Sequence, residues 1–354
     1  MEFLHSNYPP CRISGVRTFS EAFYDLLSET EKLDIAVGYV TSDSLAELKQ
    51  IAELNKNIQK LSLTIGMHYI ERFTQSAYRA ACVLNQYLMN EGRGEVRLVM
   101  PFRYHGKLYS FSNASAPFAG IIGSNNLSSI LDESTRTYES SLLIDDLTAA
   151  ADMNGFIQRL VNTSTDNIGN LEINEFNERN PLLEGHEGVG KADTHTVAEC
   201  LNARTAVSFD IPIKTFEDSP KSNLNVYFGK GRVQQNGIVK PRHWYEVELI
   251  VPKGVATQPG YPQAQTPEAE FDVITDDGWT FRCKISGDYN KNFRSEGDLK
   301  ILGKWLKGRL EAKGVLSVGE PVTQQTLAAY GRSTFTLTKT NKPNLWYLDF
   351  GVRQ

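Results

Sequence analysis

The sequence predicts two domains, an α/β domain with a mixed sheet followed by a mainly-β, barrel-like domain. Three observations predict this. Strand–helix–strand alternation in the first half gives way to a run of strand patterns. A Gly-, Asn- and Glu-rich stretch from about Asn170 to Thr196 then breaks all periodicity. Beyond it strand-like segments dominate. At 354 residues the chain is long enough for two cores. The expected boundaries are 1–175 for the first domain, 176–196 for a linker and 197–354 for the second domain.

In the first domain, "KLDIAVGYV" is a buried strand and "SDSLAELKQIAEL" a helix that starts at a serine with apolar residues three and four apart. "KLSLTIGM" is a second strand, and "ERFTQSAYRAACVLNQYLMN" a long amphipathic helix. Four further strands come next: "GEVRLVM", "GKLYSFSN", "FAGIIGSNN" and "ESSLLID". "TAAADMNGFIQRLVNTST" closes the domain as a helix. In the second domain the strands are "AVSFDIPI", "HWYEVELIVP", "EFDVITDDGWTFRCKISG", "STFTLTKT" and "NLWYLDFGV". Two helices interrupt them, "DLKILGKWLKGRLEAKG" and "TQQTLAAYG".

Composition excludes several classes. With 40% hydrophobic and 22% charged residues the chain is not a disordered protein. No apolar run reaches the roughly 20 residues of a membrane span, and the N-terminus lacks the basic-then-apolar pattern of a secretory signal. Cys11, Cys82, Cys200 and Cys283 stand in no metal-ligand spacing and read as reduced thiols of a cytoplasmic protein. The net charge of −5 is uneven. Residues from Thr196 onward carry 21 Lys and Arg against 17 Asp and Glu, whereas the first 195 carry 16 against 25. The basic half is the one suited to a polyanion.

"GHEGVGKA" (Gly185 to Ala192) comes close to a phosphate-cradling nucleotide loop. It lacks the preceding strand, and Ala192 stands where a magnesium-binding hydroxyl is needed, so it reads as linker. "YHGKLYSF" differs because of its downstream neighbours. On a strand, His105 and Lys107 project from one face. Eighteen residues after His105 comes "GSNN", in which Ser124 and Asn126 again share a face, and Glu139 precedes a further strand. Three adjacent strands bring an imidazole, an ammonium, an amide and a carboxylate to one end of the sheet. In phosphoryl transfer the histidine attacks phosphorus, lysine and asparagine hold the non-bridging oxygens, and a carboxylate orients the imidazole.

His105-x-Lys107 with Gly123-Ser124-x-Asn126 resembles the signature of the phospholipase D superfamily, including its nucleases. The resemblance implies His105 as nucleophile, Lys107 and Asn126 on the phosphate, Ser124 supporting the turn and Glu139 as the histidine-orienting carboxylate. It implies a mechanism that uses no metal and no cofactor. The family pattern continues HxKxxxxD, and Ser112 stands here in place of the aspartate, which points away from the lipases toward nuclease branches. The mechanism needs two histidines, and the chain holds one HxK, so the resemblance implies a homodimer with a composite site.

From Lys221 to Arg242 the sequence has five basic residues and no acidic one. Lys221, Asn225, Lys230, Arg232, Gln234, Gln235, Asn236, Lys240 and Arg242 suit phosphate contact and base-edge readout. "KISGDYNKNFRSEGDLK" is a second such stretch, with Lys284, Tyr289, Asn290, Lys291, Asn292 and Arg294. "SNLNVYFGKG", "KPRHWYEVELIVP", "FDVITDDGWTF", "LGKWLKGRL" and "YGRSTFTLTKTNKPNLWYLDF" resemble the B3-type DNA-binding pseudobarrel, in which two arms grip the major groove. The domain order resembles restriction endonucleases of the BfiI and NgoAVII kind. That resemblance implies a metal-independent type II, IIS-like enzyme acting on double-stranded DNA and a companion DNA methyltransferase. A nonspecific or lipid phosphodiesterase, or an inert DNA-binding regulator, are the alternative readings.

Overall fold

The computed structural model describes residues 1–114, 116–131, 137–177 and 182–352. The chain divides into two compact units, Met1–Asn180 with Gly231–Pro241, and Pro181–Lys230 with Arg242–Gln354.

The N-terminal unit is built on an eight-stranded mixed sheet. Its strands are β1 (Glu2–His5), β2 (Lys32–Val37), β3 (Lys60–Ile65), β4 (Gly94–Val99), β5 (Lys107–Ser112), β6 (Pro117–Gly123), β7 (Ser140–Ile144) and β8 (Thr165–Asn167), in the order β1-β7-β6-β5-β2-β3-β4-β8. β2, β3 and β4 run parallel, and β5 runs antiparallel to β2. Its helices are α1 (Phe19–Leu26), α2 (Ser42–Leu54), α3 (His68–Glu71), α4 (Gln75–Asn90) and α5 (Leu147–Ser164). Side-chain oxygens start four of them: Thr18, Thr41, Thr74 and Asp146 each accept from a first-turn N–H. Thr74 thereby moves the start of the long helix past Glu71, where the sequence pattern would begin it.

Two faces of the sheet are covered by different chemistry. On one, α5 lays Met153, Ile157 and Leu160 over Ala36 and Leu108. Its Asn154 donates to Asp34 Oδ2 at 3.0 Å and to Ser110 Oγ at 2.9 Å, which satisfies a carboxylate only 1% exposed. On the other, Phe23 of α1 meets Tyr109 and Phe111 edge to face. Sequence periodicity picks out neither β1, a four-residue edge strand, nor α1, an eight-residue helix whose signal is its Thr18–Glu21 capping box.

The C-terminal unit is mainly β. It contains β9 (Gly190–Lys191), α6 (Thr194–Asn202) and β10 (Arg204–Pro212). A hairpin of β11 (Arg232–Val233) and β12 (Val239–Lys240) comes next in the chain but groups with the N-terminal unit. After it come β13 (Leu249–Ile250), α7 (Lys253–Ala256), β14 (Glu270–Thr275), β15 (Trp279–Ser286), β16 (Asn292–Ser295), α8 (Lys300–Ala312), α9 (Gln324–Tyr330), β17 (Thr334–Thr340) and β18 (Leu345–Asp349). The main sheet runs β10-β17-β18-β14-β15-β16-β13. It curls into a half-barrel.

Two expectations change. The linker is not structureless throughout, because Lys191 pairs with Trp279 and lays its ammonium 4.2 Å over the indole. "HWYEVELIVP" is a strand only at Leu249–Ile250. Trp244 and Tyr245 are neighbours and both buried, at 1% and 0% exposure, which the alternation of a strand on a one-sided sheet does not allow. Instead both donate to Glu311 of α8, each at 2.8 Å, and Lys307 donates to the Trp244 carbonyl at 2.6 Å. Burial pulls the Lys307 ammonium down to about 7.

A glycine sets the close approach of β3 to the loop ahead of β5. A Cβ at Gly66 would lie 1.9 Å from the Tyr104 carbonyl oxygen and 2.7 Å from its ring. Backbone cannot yield as a flexible side chain can, so Gly66→Ala is expected to lower stability by roughly 2 kcal/mol or more. Thermal and urea unfolding of the whole chain check this.

Candidate active site

The chemistry collects at one end of the N-terminal sheet, where β2 and β3 finish and β5 begins. Register places Lys107 opposite Val37, Leu108 opposite Ile122, and Gly123 opposite Ser141. The first residue of β5, the residues just after β6 and the residue just before β7 therefore lie side by side. Carboxyl ends of parallel strands are where α/β sheets open a crevice for ligands.

β5 begins at Lys107, so His105 lies just ahead of the strand rather than on it. The lysine is buried, and the histidine is exposed. Lys107 Nζ lies 3.1 Å from His105 Nδ1 and 3.3 Å from Nε2, and donates to the His105 carbonyl at 2.8 Å. Burial pulls the ammonium below the ordinary lysine range, while the charge of Glu139 pulls it back up. The loop carrying His105 is fixed by Tyr104, whose N–H donates to the Gly66 carbonyl. A Cβ at Gly38 would lie 3.4 Å from the His105 Cα and Cδ2, in van der Waals contact, so the loop carrying the ring packs closely on the end of β2.

The "GSNN" turn divides its labour. Ser124 Oγ donates to the Ser140 carbonyl and accepts from the Ser140 N–H, tying the turn to β7. Asn125 points inward and is 5% exposed. It accepts from Ser141 Oγ at 2.5 Å, donates to Ser129 Oγ at 3.0 Å, and its carbonyl accepts from Tyr109 Oη at 2.9 Å. Asn126 faces the opposite way, and its Oδ1 accepts from the Tyr39 N–H at 3.1 Å. Glu139 is half-buried and held by its backbone, which exchanges hydrogen bonds with Ser6. Among the described residues its carboxylate makes no hydrogen bond to His105; its charge is felt by Lys107 and Tyr109. Ser112, in place of the family aspartate, is 5% exposed at the far end of β5.

Sequence patterns do not single out Tyr39 or His68. Tyr39 meets the His105 ring edge-on, with centroids 5.5 Å apart and planes at 80°. His68 accepts from the Val40 N–H at 3.1 Å and stacks on Phe73 at 4.4 Å. Burial holds its imidazole below the ordinary histidine range. The one signal that could point to them is "GYV" at the carboxyl end of a parallel strand.

The sequence around this site is matched by a family model. Residues 18–174 match the NgoFVII restriction endonuclease N-terminal PLD domain, and residues 200–341 match the NgoFVII C-terminal B3-like DNA-binding domain. The chain belongs to the NgoFVII restriction endonuclease family. It joins a phospholipase D-type domain to a B3-like DNA-binding domain. None of the curated proteins matches the chain. Among solved structures it is similar to the archaeal chromatin protein TrmBL2, at 12% identity and a TM-score of 0.28, with 41% of this chain and 49% of that one covered. The chain thus spans about half the length of TrmBL2. It is similar to NucT from Helicobacter pylori at 19% identity and a TM-score of 0.32, covering 47% and 99%. Nuc from Salmonella typhimurium, a phospholipase D family member, is similar at 14% and 0.31, covering 47% and 95%.

Within the matched DNA-binding region, the expected contact residues fall into three groups. Lys221, Lys230, Gln235, Tyr289 and Lys291 are exposed. Others are engaged. Arg242 pairs with Glu246, Lys284 with Glu270, and Asn290 donates to Gln263 Oε1 while accepting from the Ala264 N–H. Asn292 opens β16, and Arg294 is half-buried on the same strand. Asn225 is fully buried with its amide on the Val322 backbone, so it is a fold residue out of reach of DNA. Arg232, Gln234, Asn236 and Lys240 belong to the hairpin of the N-terminal unit. There Asn236 donates to the Tyr24 carbonyl, Lys240 lies over the Tyr24 ring, and Gln234 donates to the Arg232 carbonyl.

The lowered Lys107 ammonium has a kinetic consequence. Where Lys107 serves to hold an anionic phosphate its charge is required, and that charge is lost at lower pH than an ordinary lysine loses it. The pH–rate profile of phosphodiester cleavage is expected to fall on the alkaline side before an ordinary lysine would titrate. Lys107→Met is expected to lose at least about 10²-fold at every pH.

Proposed function

We propose that this chain is a metal-independent, type II site-specific endonuclease that cuts duplex DNA through a phosphohistidine. The observation that supports it most is the exposed His105 ring with the buried Lys107 ammonium against it and the Asn126 amide held by the N–H of Tyr39, whose ring meets His105. A ring nitrogen of His105 attacks the scissile phosphorus. Lys107 and Asn126 hold the non-bridging oxygens as charge builds on them. The P–N bond forms, the P–O3′ bond breaks, and the 3′ oxygen leaves with a proton. Water then attacks phosphorus, the P–N bond breaks, and a 5′-phosphate is released.

The proton donor and later base is His105 of a second copy. Of the other histidines, His68 has both ring nitrogens within hydrogen-bond reach of backbone, and His186 faces Asp298. An exposed apolar row supports a homodimer. Phe3 lies opposite Leu142, which lies opposite Ile122, with Phe3 62% and Ile122 43% exposed. The B3-like domain reads a short site, so the cut falls outside the recognised sequence, as in a IIS-like enzyme. The companion is a DNA methyltransferase that protects that site. Among the described residues no helix is long and apolar enough to cross a membrane. DNA, rather than lipid, is the phosphodiester to which the attached domain points.

Cleavage in excess EDTA is expected to match cleavage without it, and His105→Ala is expected to lose at least about 10³-fold. A chiral phosphorothioate at the cut should retain its configuration, because two in-line displacements restore it. Inversion would exclude the phosphohistidine, and a strict magnesium requirement would exclude the metal-free route. Separately, replacing Lys221, Lys230 and Lys291 together by Ala is expected to reduce the slope of log affinity against log salt by about 2 to 3.

A further inference from the structure

Tyr39, directly after Gly38 at the end of β2, touches both groups that meet the phosphate. Its N–H donates to Asn126 Oδ1 at 3.1 Å. Its ring stands perpendicular to His105 at 5.5 Å. Its hydroxyl donates to Glu71 Oε2 at 2.7 Å, and Glu71 Oε1 pairs with Arg103 Nε at 3.3 Å. His68 also meets the Tyr39 ring edge-on, at 5.6 Å. The tyrosine ring is thus held by its hydroxyl and packed against two imidazoles, that of His105 among them.

The amide contact carries the stronger consequence. A side-chain amide has one accepting end and one donating end. A backbone N–H can bond only to the oxygen, so Tyr39 decides which end of Asn126 looks elsewhere. With Oδ1 turned to Tyr39, the NH₂ group is the end left for an anion. Meanwhile the ring wall removes rotamers from His105 that would swing it away from in-line attack.

We propose that Tyr39 is a positioning residue that sets the amide polarity of Asn126 and the ring orientation of His105 for the cleavage proposed above, on which this assignment rests. It acts through those two side chains and does not itself touch the reacting atoms. Positioning errors of about 1 Å reduce rates by on the order of 10²-fold. The loss should therefore appear in the chemical step and not in DNA affinity, which the other domain supplies.

The test compares Tyr39→Phe and Tyr39→Ala in the full chain. It uses single-turnover cleavage, DNA binding by gel shift, thermal unfolding, and ring-¹⁵N spectra of His105. Both variants keep the backbone N–H, so they isolate the ring; Tyr39→Phe keeps the wall and should cut within about threefold of wild type. Tyr39→Ala should lose about 10²-fold in rate with DNA affinity unchanged, and its His105 signals should move from one tautomer to an averaged pair. Asn126→Asp keeps an acceptor for the Tyr39 N–H but removes the donor. It should unfold like wild type and lose at least about 10²-fold. Wild-type cutting by Tyr39→Ala, or equal losses in both Tyr39 variants together with lowered unfolding temperatures, would overturn the assignment. So would normal cutting by Asn126→Asp. A wild-type chain with no His105-dependent cutting would instead overturn the endonuclease reading itself.

Discussion

The N-terminal unit is organised around one ammonium that has been taken almost out of water. Lys107 is 7% exposed on a central strand whose six residues are all buried. Such a charge is tolerated only where polar groups replace its hydration. Here the His105 carbonyl and ring do so, and the half-buried Glu139 balances the charge from the next strand but one. The neighbouring features serve this arrangement. Gly66 and Gly106 let Tyr104 close over the loop, and Ser124 pins the turn that carries Asn126. These groups are held in place by the protein's own contacts, which is the arrangement that the proposed cleavage requires of a charged transition state.

Much of this is readable from residues. The alternation in the first half identifies six of the eight strands in the N-terminal sheet and three of its helices, because each is long enough to show its period. The pairing of His105-x-Lys107 with Ser124-x-Asn126 points to one end of the sheet, and the family models cover both regions in the expected order. What the residues do not disclose has physical causes. β1 is a four-residue edge strand with no clear period, and α1, which opens on a Thr18–Glu21 capping box, spans only eight residues. Tyr39 and His68 act through a main-chain N–H, a ring edge and a ring nitrogen, none of which a residue type announces. The spacing of Glu139 suggests a bond to the histidine, and its reach to Lys107 instead is a matter of a few ångströms that spacing cannot settle.

The basic segments are the less readable part for a different reason. A run such as "KSNLNVYFGKGRVQQNGIVKPR" shows charge without showing which side chains are occupied. Asn225 closes a pair with the Val322 backbone, and Arg242 is paired with Glu246, four residues along the chain. Polar residues in a small β domain are needed by the fold as well as by a ligand, since many of its backbone groups lie outside ladders. Composition counts both uses alike.

The hairpin of β11 and β12 changes how the protein can be divided. The chain leaves the N-terminal unit, returns for Gly231–Pro241, and leaves again, so the two units are joined by three covalent crossings rather than one. Asn55, 4% exposed, gives both ends of its amide to the Val239 backbone, accepting at 2.7 Å and donating at 3.0 Å. An N-terminal fragment cut at the linker would lack that strand, and Asn55 would keep only its bond to the Ile51 carbonyl. The N-terminal unit therefore draws on sequence that lies inside the other's span, and one cut at the linker does not separate the two units.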